Sequence, residues 1–235
     1  MFKAIRSNIP NAITCLNLLS GCLACIFSFQ AGETFGSLQA YEMVFIFICA
    51  AAVFDFCDGA AARLLGAYSP MGKELDSLSD LVSFGLAPAL LMFNTISSAL
   101  PSDRWLAYGS LLIAVAGALR LAKFNVDDRQ TTSFIGLPIP ANALFWVGYC
   151  AMLHSTGMYP VWTTAIIIVL MSWLMVSDLP IFSLKFKNFS LRDNLSRYII
   201  IAAAIVLIAI FRLPGIALTI VLYVLMAIFK VMRVK

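Results

Sequence analysis

Long apolar runs follow one another along almost the whole chain, separated by short clusters of charged residues, Gly and Pro. An apolar run of roughly 18–20 residues is long enough to cross the hydrocarbon core of a bilayer as a helix. Eight such runs are read, at 11–30, 38–63, 75–98, 105–123, 140–157, 161–180, 196–211 and 214–231. The fourth, fifth and sixth are shorter or flanked by Gly and Pro, which leaves readings with six or seven spans open. Only helices or closed barrels satisfy their backbone polar groups within lipid. The pattern therefore predicts an all-α fold, a polytopic transmembrane helical bundle. With no internal repeat, low-complexity tract or linker, it is treated as one membrane domain over residues 1–235.

The charges between the runs set an orientation. With the N-terminus in the cytoplasm, one side receives Lys3, Arg6, Arg63, Lys73, Arg120, Lys123, Arg129, Lys185, Lys187, Arg192, Arg197, Lys230, Arg233 and Lys235. The other side receives Arg104 and Arg212, so the sixteen basic residues divide fourteen to two. Cytoplasmic loops carry such an excess of Lys and Arg. An odd number of spans would break the alternation, so both termini are expected on the cytoplasmic side. Leu19-Ser20-Gly21-Cys22 resembles a lipoprotein cleavage site, but Asn11, Thr14 and Asn17 interrupt the run before it. The segment is therefore expected to be an ordinary first membrane helix.

Composition narrows the class without changing it. Hydrophobic residues make up 62% of the chain and charged residues 12%, against roughly 45–50% and 25% in soluble domains. The net charge of +4 comes without a basic block that would suggest nucleic acid, and it suits loops facing anionic membrane lipids. All six cysteines fall in apolar segments, where cysteine behaves as a small hydrophobe. Cys22-x-x-Cys25 has no second pair and no nearby histidine, and His154, the one histidine, has no evident partner.

The chemistry concentrates at the junction of the second and third segments. Asp55-Phe56-Cys57-Asp58-Gly59-Ala60-Ala61-Ala62-Arg63 is followed by Gly72-Lys73-Glu74-Leu75-Asp76-Ser77-Leu78-Ser79-Asp80. A charged side chain at mid-membrane costs about 2.5–3.5 kcal/mol on insertion scales, so four carboxylates need an offset, and a bound cation supplies one. At 3.6 residues per turn Asp55 and Asp58 project about 60° apart, in the sector shared by Gly59 and Ala62. Gly72, Asp76 and Asp80 form a second stripe at i, i+4, i+8. Two such helices joined by a short loop are antiparallel neighbours, so the four carboxylates can converge beside small side chains that leave room for a ligand. An all-oxygen site without His or Cys suits Mg²⁺ or Mn²⁺. A hard cation beside Arg63 suits a phosphate-bearing substrate, and a two-metal arrangement can hold both the attacked phosphorus and the leaving group.

The pattern D-x2-D-G-x2-A-R-x8-G-x3-D-x3-D resembles the signature of the CDP-alcohol phosphotransferases, and every defined position matches. The resemblance implies a six-helix core, here with about two further helices, and a site at the cytoplasmic side. It implies a CDP-linked lipid substrate, usually CDP-diacylglycerol, whose lipid-bearing phosphate is attacked by a hydroxyl while CMP leaves. By motif position Asp55, Asp58 and Asp76 are implied metal ligands. Asp80 is the implied general base and a further implied metal contact, and two ions are implied. Asp55, Gly59, Ala62 and Arg63 are implied to contact the CDP moiety, with Asn11 and Thr14 as N-terminal nucleotide contacts. Asn17 stands where many relatives carry arginine. A homodimer is a further family expectation.

Four more stretches are similar to one branch of that family, the membrane-embedded phosphatidylserine synthases of bacteria and archaea. They are Ser79–Gly85, Arg120–Asn125, Gly136–Pro140 and Met175–Ser177. The branch implies serine as the alcohol. Serine brings a carboxylate, which Arg can bind through a bidentate fork. Arg120, Lys123 and Arg129 are candidates, with Asn125 beside them, for that carboxylate or for lipid phosphate; they could equally be ordinary cytoplasmic-side cations. Pro residues prevent Gly136–Pro140 from being helical throughout, so this stretch is expected to line the cavity. Glycerol 3-phosphate, inositol or inositol phosphate is the alternative acceptor, although a phosphorylated one calls for a denser basic cluster. A cation transporter is the remaining alternative, but repeated halves are absent.

Overall fold

Two helices joined by a short turn fix the frame of the structure, a computed structural model that describes residues 2–30, 32–101, 104–127, 134–182 and 190–234. Arg129, Lys185, Lys187 and Lys235 lie outside the described residues. Helix α2 (Ala40–Leu65) ends at Gly66, whose φ of 59° is the left-handed conformation that closes a helix C-terminus, with its N–H directed to the Ala62 and Arg63 carbonyls. Helix α3 (Pro70–Asp80) starts at once. Ser69 caps it by accepting from the Gly72 N–H at 2.9 Å, and Pro70 supplies a preset φ in the first turn. A stop and a start this close bring the C-terminal end of α2 beside the start of α3, but the two helices do not pack along their lengths as an antiparallel pair; α1 packs against both of them.

The rest follows the same up-and-down path. Helix α1 (Phe2–Ser28) precedes α2, with a two-stranded hairpin of β1 (Thr34–Phe35) and β2 (Leu38–Gln39) between them. Helix α3 continues through a π-helical turn (Leu81–Leu86) into α4 (Ala87–Ala99), and a 3-10 turn (Arg104–Ser110) leads into α5 (Leu111–Val126). Then come α6 (Ile139–Thr156), α7 (Val161–Val176), α8 (Leu191–Phe211) and α9 (Pro214–Val234). These make eight helical passes, at the eight places the apolar pattern indicates. Helix α1 starts at Phe2 rather than at residue 11, because the helix runs through Pro10 instead of starting after it.

Six passes among the described residues are long and apolar enough to cross a membrane: Asn8–Ser28, Ala40–Leu65, Pro70–Ala99, Arg104–Val126, Asn194–Phe211 and Pro214–Met232. Helix α7 is apolar but shorter. Helix α6 is the most enclosed, with Trp146, Val147 and Cys150 fully buried. A helix surrounded by protein can keep polar groups that lipid would not accept: the Trp146 indole N–H donates to Asn142 Oδ1 at 3.1 Å inside the core. The outer surface is apolar in turn, with Leu19, Val53, Val115, Ile166 and Ile205 all exposed, as a lipid-facing surface requires.

Glycines set three close approaches. A Cβ on Gly117 would lie 2.8 Å from Ile139 Cδ1 and 3.5 Å from Gly85 Cα, so α5 meets the π turn backbone to backbone. A Cβ on Gly148 would lie 2.7 Å from the Ala217 nitrogen, which is how α9 closes on α6. Gly136, at φ +76°, lies against the Met175 and Ser177 carbonyls. It continues β3 (Phe134–Ile135), which pairs antiparallel with β4 (Pro180–Ile181). Leu137 and Ile139 are consequently core residues. Gly136–Pro140 is a packed clip between α5, α6 and α7, and it does not line the main cavity as expected; none of its residues is in that cavity's wall.

Candidate active site

One end of the bundle gathers the first half of α1, the α2–α3 turn and the C-terminal ends of α5 and α7. Thr14 of α1 meets Asp58 of α2, Lys73 of α3 reaches the Asn125 carbonyl of α5 at 3.0 Å, and Lys123 of α5 reaches the Val176 carbonyl of α7 at 3.1 Å. Here the carboxylate stripes meet. Asp55, Asp76 and Asp80 each present an oxygen such that all three lie within 4.8 Å of one another. Asp58 stands beside this trio, and its Oδ2 accepts a 2.6 Å hydrogen bond from the Thr14 hydroxyl.

Helix α1 contributes a stripe of its own. Asn11, Thr14 and Asn17 recur at helical spacing on the face turned to the aspartates. Asn17 is fully buried, and its Nδ2 donates to Asp80 Oδ1 at 3.1 Å. The Ser83 hydroxyl donates to Asn17 Oδ1 at 2.7 Å. Asn11 Oδ1 would lie 3.0 Å from a Cβ on Gly72, so that glycine is the seat of the Asn11 side chain.

Carboxylates this close repel one another, and low-dielectric surroundings strengthen the repulsion. Asp76 Oδ1 is buried without a hydrogen-bond partner among the described residues. A buried carboxylate oxygen left unpaired costs free energy unless a cation or proton meets it. The donor set is entirely oxygen, with no His or Cys among the cluster residues. This set fits a hard divalent cation.

A cavity of about 610 Å³ opens beside the cluster. Asp58, Asp76, Gly59, Ala62, Asn11 and Thr14 are in its wall. Gly59 is not reserved for packing within the chain: among the described residues a Cβ there would meet only Arg63 Nη1, at 3.8 Å. Its missing side chain leaves cavity space. Arg63 is exposed, with its guanidinium over that glycine.

The cations after the fourth pass part company. Arg120 is buried, with its guanidinium carbon 5.2 Å from the centre of the Phe124 ring, and its Nε has no hydrogen-bond partner among the described residues. It interacts electrostatically with Asp80. Lys123 pairs with Asp178 at 2.9 Å, holding the α7 exit against α5. Asn125 donates to the Ser77 hydroxyl at 2.9 Å and so ties α5 to α3. Arg129 lies outside the described residues. Sequence reasoning missed Lys73 and Tyr68 in the cavity wall and Ser83 behind Asp80. Ser83 lies three positions beyond Asp80, on the continuation of the aspartate stripe, and that spacing was the available signal.

Comparison with known proteins agrees with this geometry. The family model for CDP-alcohol phosphatidyltransferases matches residues 7–182. The chain is 37% identical over 171 residues to the CDP-diacylglycerol–serine O-phosphatidyltransferase of Methanocaldococcus jannaschii, covering 73% of this chain and 72% of that protein. It is 40% identical over 144 residues to the Bacillus subtilis protein of the same name, covering 61% and 74%. The similarly named Helicobacter pylori protein is 29% identical over 235 residues, 94% of this chain and 90% of the relative, so that match takes in α8 and extends into α9. The matched region holds α1 to α7 and every aspartate of the cluster, and the chain belongs to the CDP-alcohol phosphatidyltransferase family.

Proposed function

We propose that the protein transfers the phosphatidyl group of CDP-diacylglycerol to the hydroxyl of L-serine, giving phosphatidylserine and CMP. The observation that carries the reaction class is the cluster of Asp55, Asp76 and Asp80, within 4.8 Å of one another, beside a cavity of about 610 Å³. Serine as acceptor is supported by the names of the relatives, which cover most of the chain. Lys123, one of the cations that could serve a phosphorylated acceptor, is already paired with Asp178.

In this reading Asp55, Asp58, Asp76 and Asp80 hold divalent cations, Mg²⁺ or Mn²⁺ and two in number. Bound there, they would supply Lewis-acid stabilisation of the charge that develops on the phosphates. Asn11, Thr14, Asp55, Gly59, Ala62 and Arg63 take the CDP group, and the open space at Gly59 lets it approach the α2 backbone. Asp80 accepts the proton of the serine hydroxyl. The serine oxygen forms a bond to the lipid-bearing phosphorus, the bond from that phosphorus to the CMP oxygen breaks, and CMP leaves with the electron pair. Arg120 receives the serine carboxylate, which would satisfy its unpaired Nε. Lys123 and Asn125 hold the surrounding helix ends through the contacts they already make.

The cavity and the basic helix ends share one end of the bundle, which supports a site and both termini on the cytoplasmic side. We place the whole chain in one membrane domain, among membrane lipids, and expect a homodimer from its family. The test is CMP release by purified protein from CDP-diacylglycerol with serine, glycerol 3-phosphate or inositol supplied separately. Release that requires serine supports the proposal; release with another alcohol and none with serine would transfer the chemistry to that acceptor.

A further inference from the structure

The signature explains the four aspartates but not the buried polar pair packed behind the last of them. Asn17 is entirely inside the protein and makes two directed contacts at once: its Nδ2 donates to Asp80 Oδ1 at 3.1 Å, and its Oδ1 accepts from the Ser83 hydroxyl at 2.7 Å. The same hydroxyl also donates to the Asn17 backbone carbonyl at 3.1 Å. An amide can occupy its site in two orientations, exchanging O and N. Here the carboxylate selects one of them, and the Ser83 hydroxyl, which can donate or accept, is compatible with it. An ionised Asp80 can only accept, so it requires the NH₂. The hydroxyl proton, held between two carbonyl oxygens of Asn17, is offered to Oδ1.

The fold brings this pair together deliberately close. Ser83 lies in the π-helical turn that follows Asp80, where the Ala87 N–H bonds to the Val82 carbonyl five residues back and Pro88 has no N–H to give. Gly21, one turn along α1 from Asn17, admits the turn. A Cβ there would overlap Ser83 Oγ and lie 2.8 Å from the Ser83 Cα. The π turn, Gly21 and Asn17 together place one hydroxyl where it fixes one amide.

We infer that Asn17 and Ser83 are positioning residues for Asp80: Ser83 sets the Asn17 amide, and Asn17 holds Oδ1 of Asp80 so that its other oxygen is turned to the reacting hydroxyl. Neither touches substrate. The inference rests on the proposed role of Asp80 as the base. A base held about an ångström out of place loses on the order of 100-fold in rate, and the loss cannot exceed what the base contributes, roughly 10²–10⁴-fold.

The test is a kinetic cycle on purified protein with CDP-diacylglycerol and serine, using Ser83→Ala, Asn17→Leu and the double variant. Each single variant is expected to lower kcat by about 10- to 100-fold, with KM for CDP-diacylglycerol within about twofold and a cooperative melting transition retained. Because Ser83 acts only through Asn17, the double variant is expected to match Asn17→Leu rather than multiply the two losses. Wild-type kcat in Ser83→Ala, or multiplied losses in the double variant, would overturn the inference. So would a loss confined to KM or to melting temperature, which marks packing alone. If Asn17→Leu does not fold, Asn17→Ser takes its place in the cycle. Absence of serine-dependent CMP release in the wild-type protein would instead overturn the proposed function.

Discussion

At Asp76 a buried carboxylate oxygen has no hydrogen-bond partner among the described residues, and two other carboxylates lie within 4.8 Å. Removing one negative charge from such a cluster relieves repulsion, so Asp76→Asn and Asp55→Asn should fold without difficulty and melt no lower than the metal-free wild type. What they should lose is the response to metal. A ligand present at 100 times its Kd stabilises the native state by about 2.7 kcal/mol. Added Mn²⁺ is therefore expected to raise the melting temperature of the wild type and to leave both variants nearly unmoved, with activity also lost. An equal rise in either variant removes that aspartate from the ligand set. Gly59→Leu tests the neighbouring space: the side chain enters the cavity rather than the protein core, so the expected outcome is a folded protein that no longer binds CDP-diacylglycerol, measured by equilibrium binding. At Arg120, loss of a charge-assisted bond costs about 1.5–3 kcal/mol; Arg120→Ala is expected to raise the apparent KM for serine at least about tenfold while that for CDP-diacylglycerol barely changes. The aspartates were legible because helical spacing alone aligns them. The partner of Lys123 was not, because Asp178 is 55 residues away and only the packing of α5 on α7 joins them.

The elements were legible wherever an apolar run carried its own stop signal. Gly66, Ser69 and Pro70 announce the α2–α3 turn; that α1 packs against both helices, in place of an antiparallel α2–α3 pair, was not legible because it depends on packing across the bundle. The π turn at Leu81–Leu86 could not be read in this way, since nothing in its apolar sequence marks an extra residue per turn; that residue answers to Pro88 and to the close packing of α1 and α5 on either side. The stretch around Gly136 was read as cavity lining from its prolines, yet its place is set by strand pairing with Pro180–Ile181 across the bundle. Gly136→Ala measures how firmly that clip is held. The new Cβ would lie 2.5 Å from the Met175 carbonyl, in a backbone conformation with φ of +76°. Left-handed backbone alone costs a residue with a Cβ about 1–2 kcal/mol, so the melting temperature in detergent is expected to fall by several degrees. An unchanged melting temperature would mean that the clip adds nothing to the stability of the bundle.

At the scale of the molecule, the carboxylate cluster, the cavity and the ends of α5 and α7, joined by the Lys123–Asp178 pair, share one end of the bundle, while Tyr41 and His154 stack at the other, with ring centres 5.0 Å apart. That polarity, with fourteen of sixteen basic residues assigned to one side in the eight-pass path, leads to a labelling result: tags on the two termini are expected to react only from the cytoplasmic side of sealed vesicles. A terminus reached from the other side would remove the even number of passes. The path itself was legible from hydropathy, α6 included; what hydropathy did not show is that α6 is enclosed by protein, where its polar residues are tolerated. The chemistry of the whole is tested most directly by following CMP from CDP-diacylglycerol in purified protein, with serine and divalent metal each present or withheld. CMP and phosphatidylserine are expected to appear in equal amounts only when both are present, and to cease with chelator. CMP release that persists in chelator, or that proceeds with glycerol 3-phosphate or inositol and not with serine, would contradict the account.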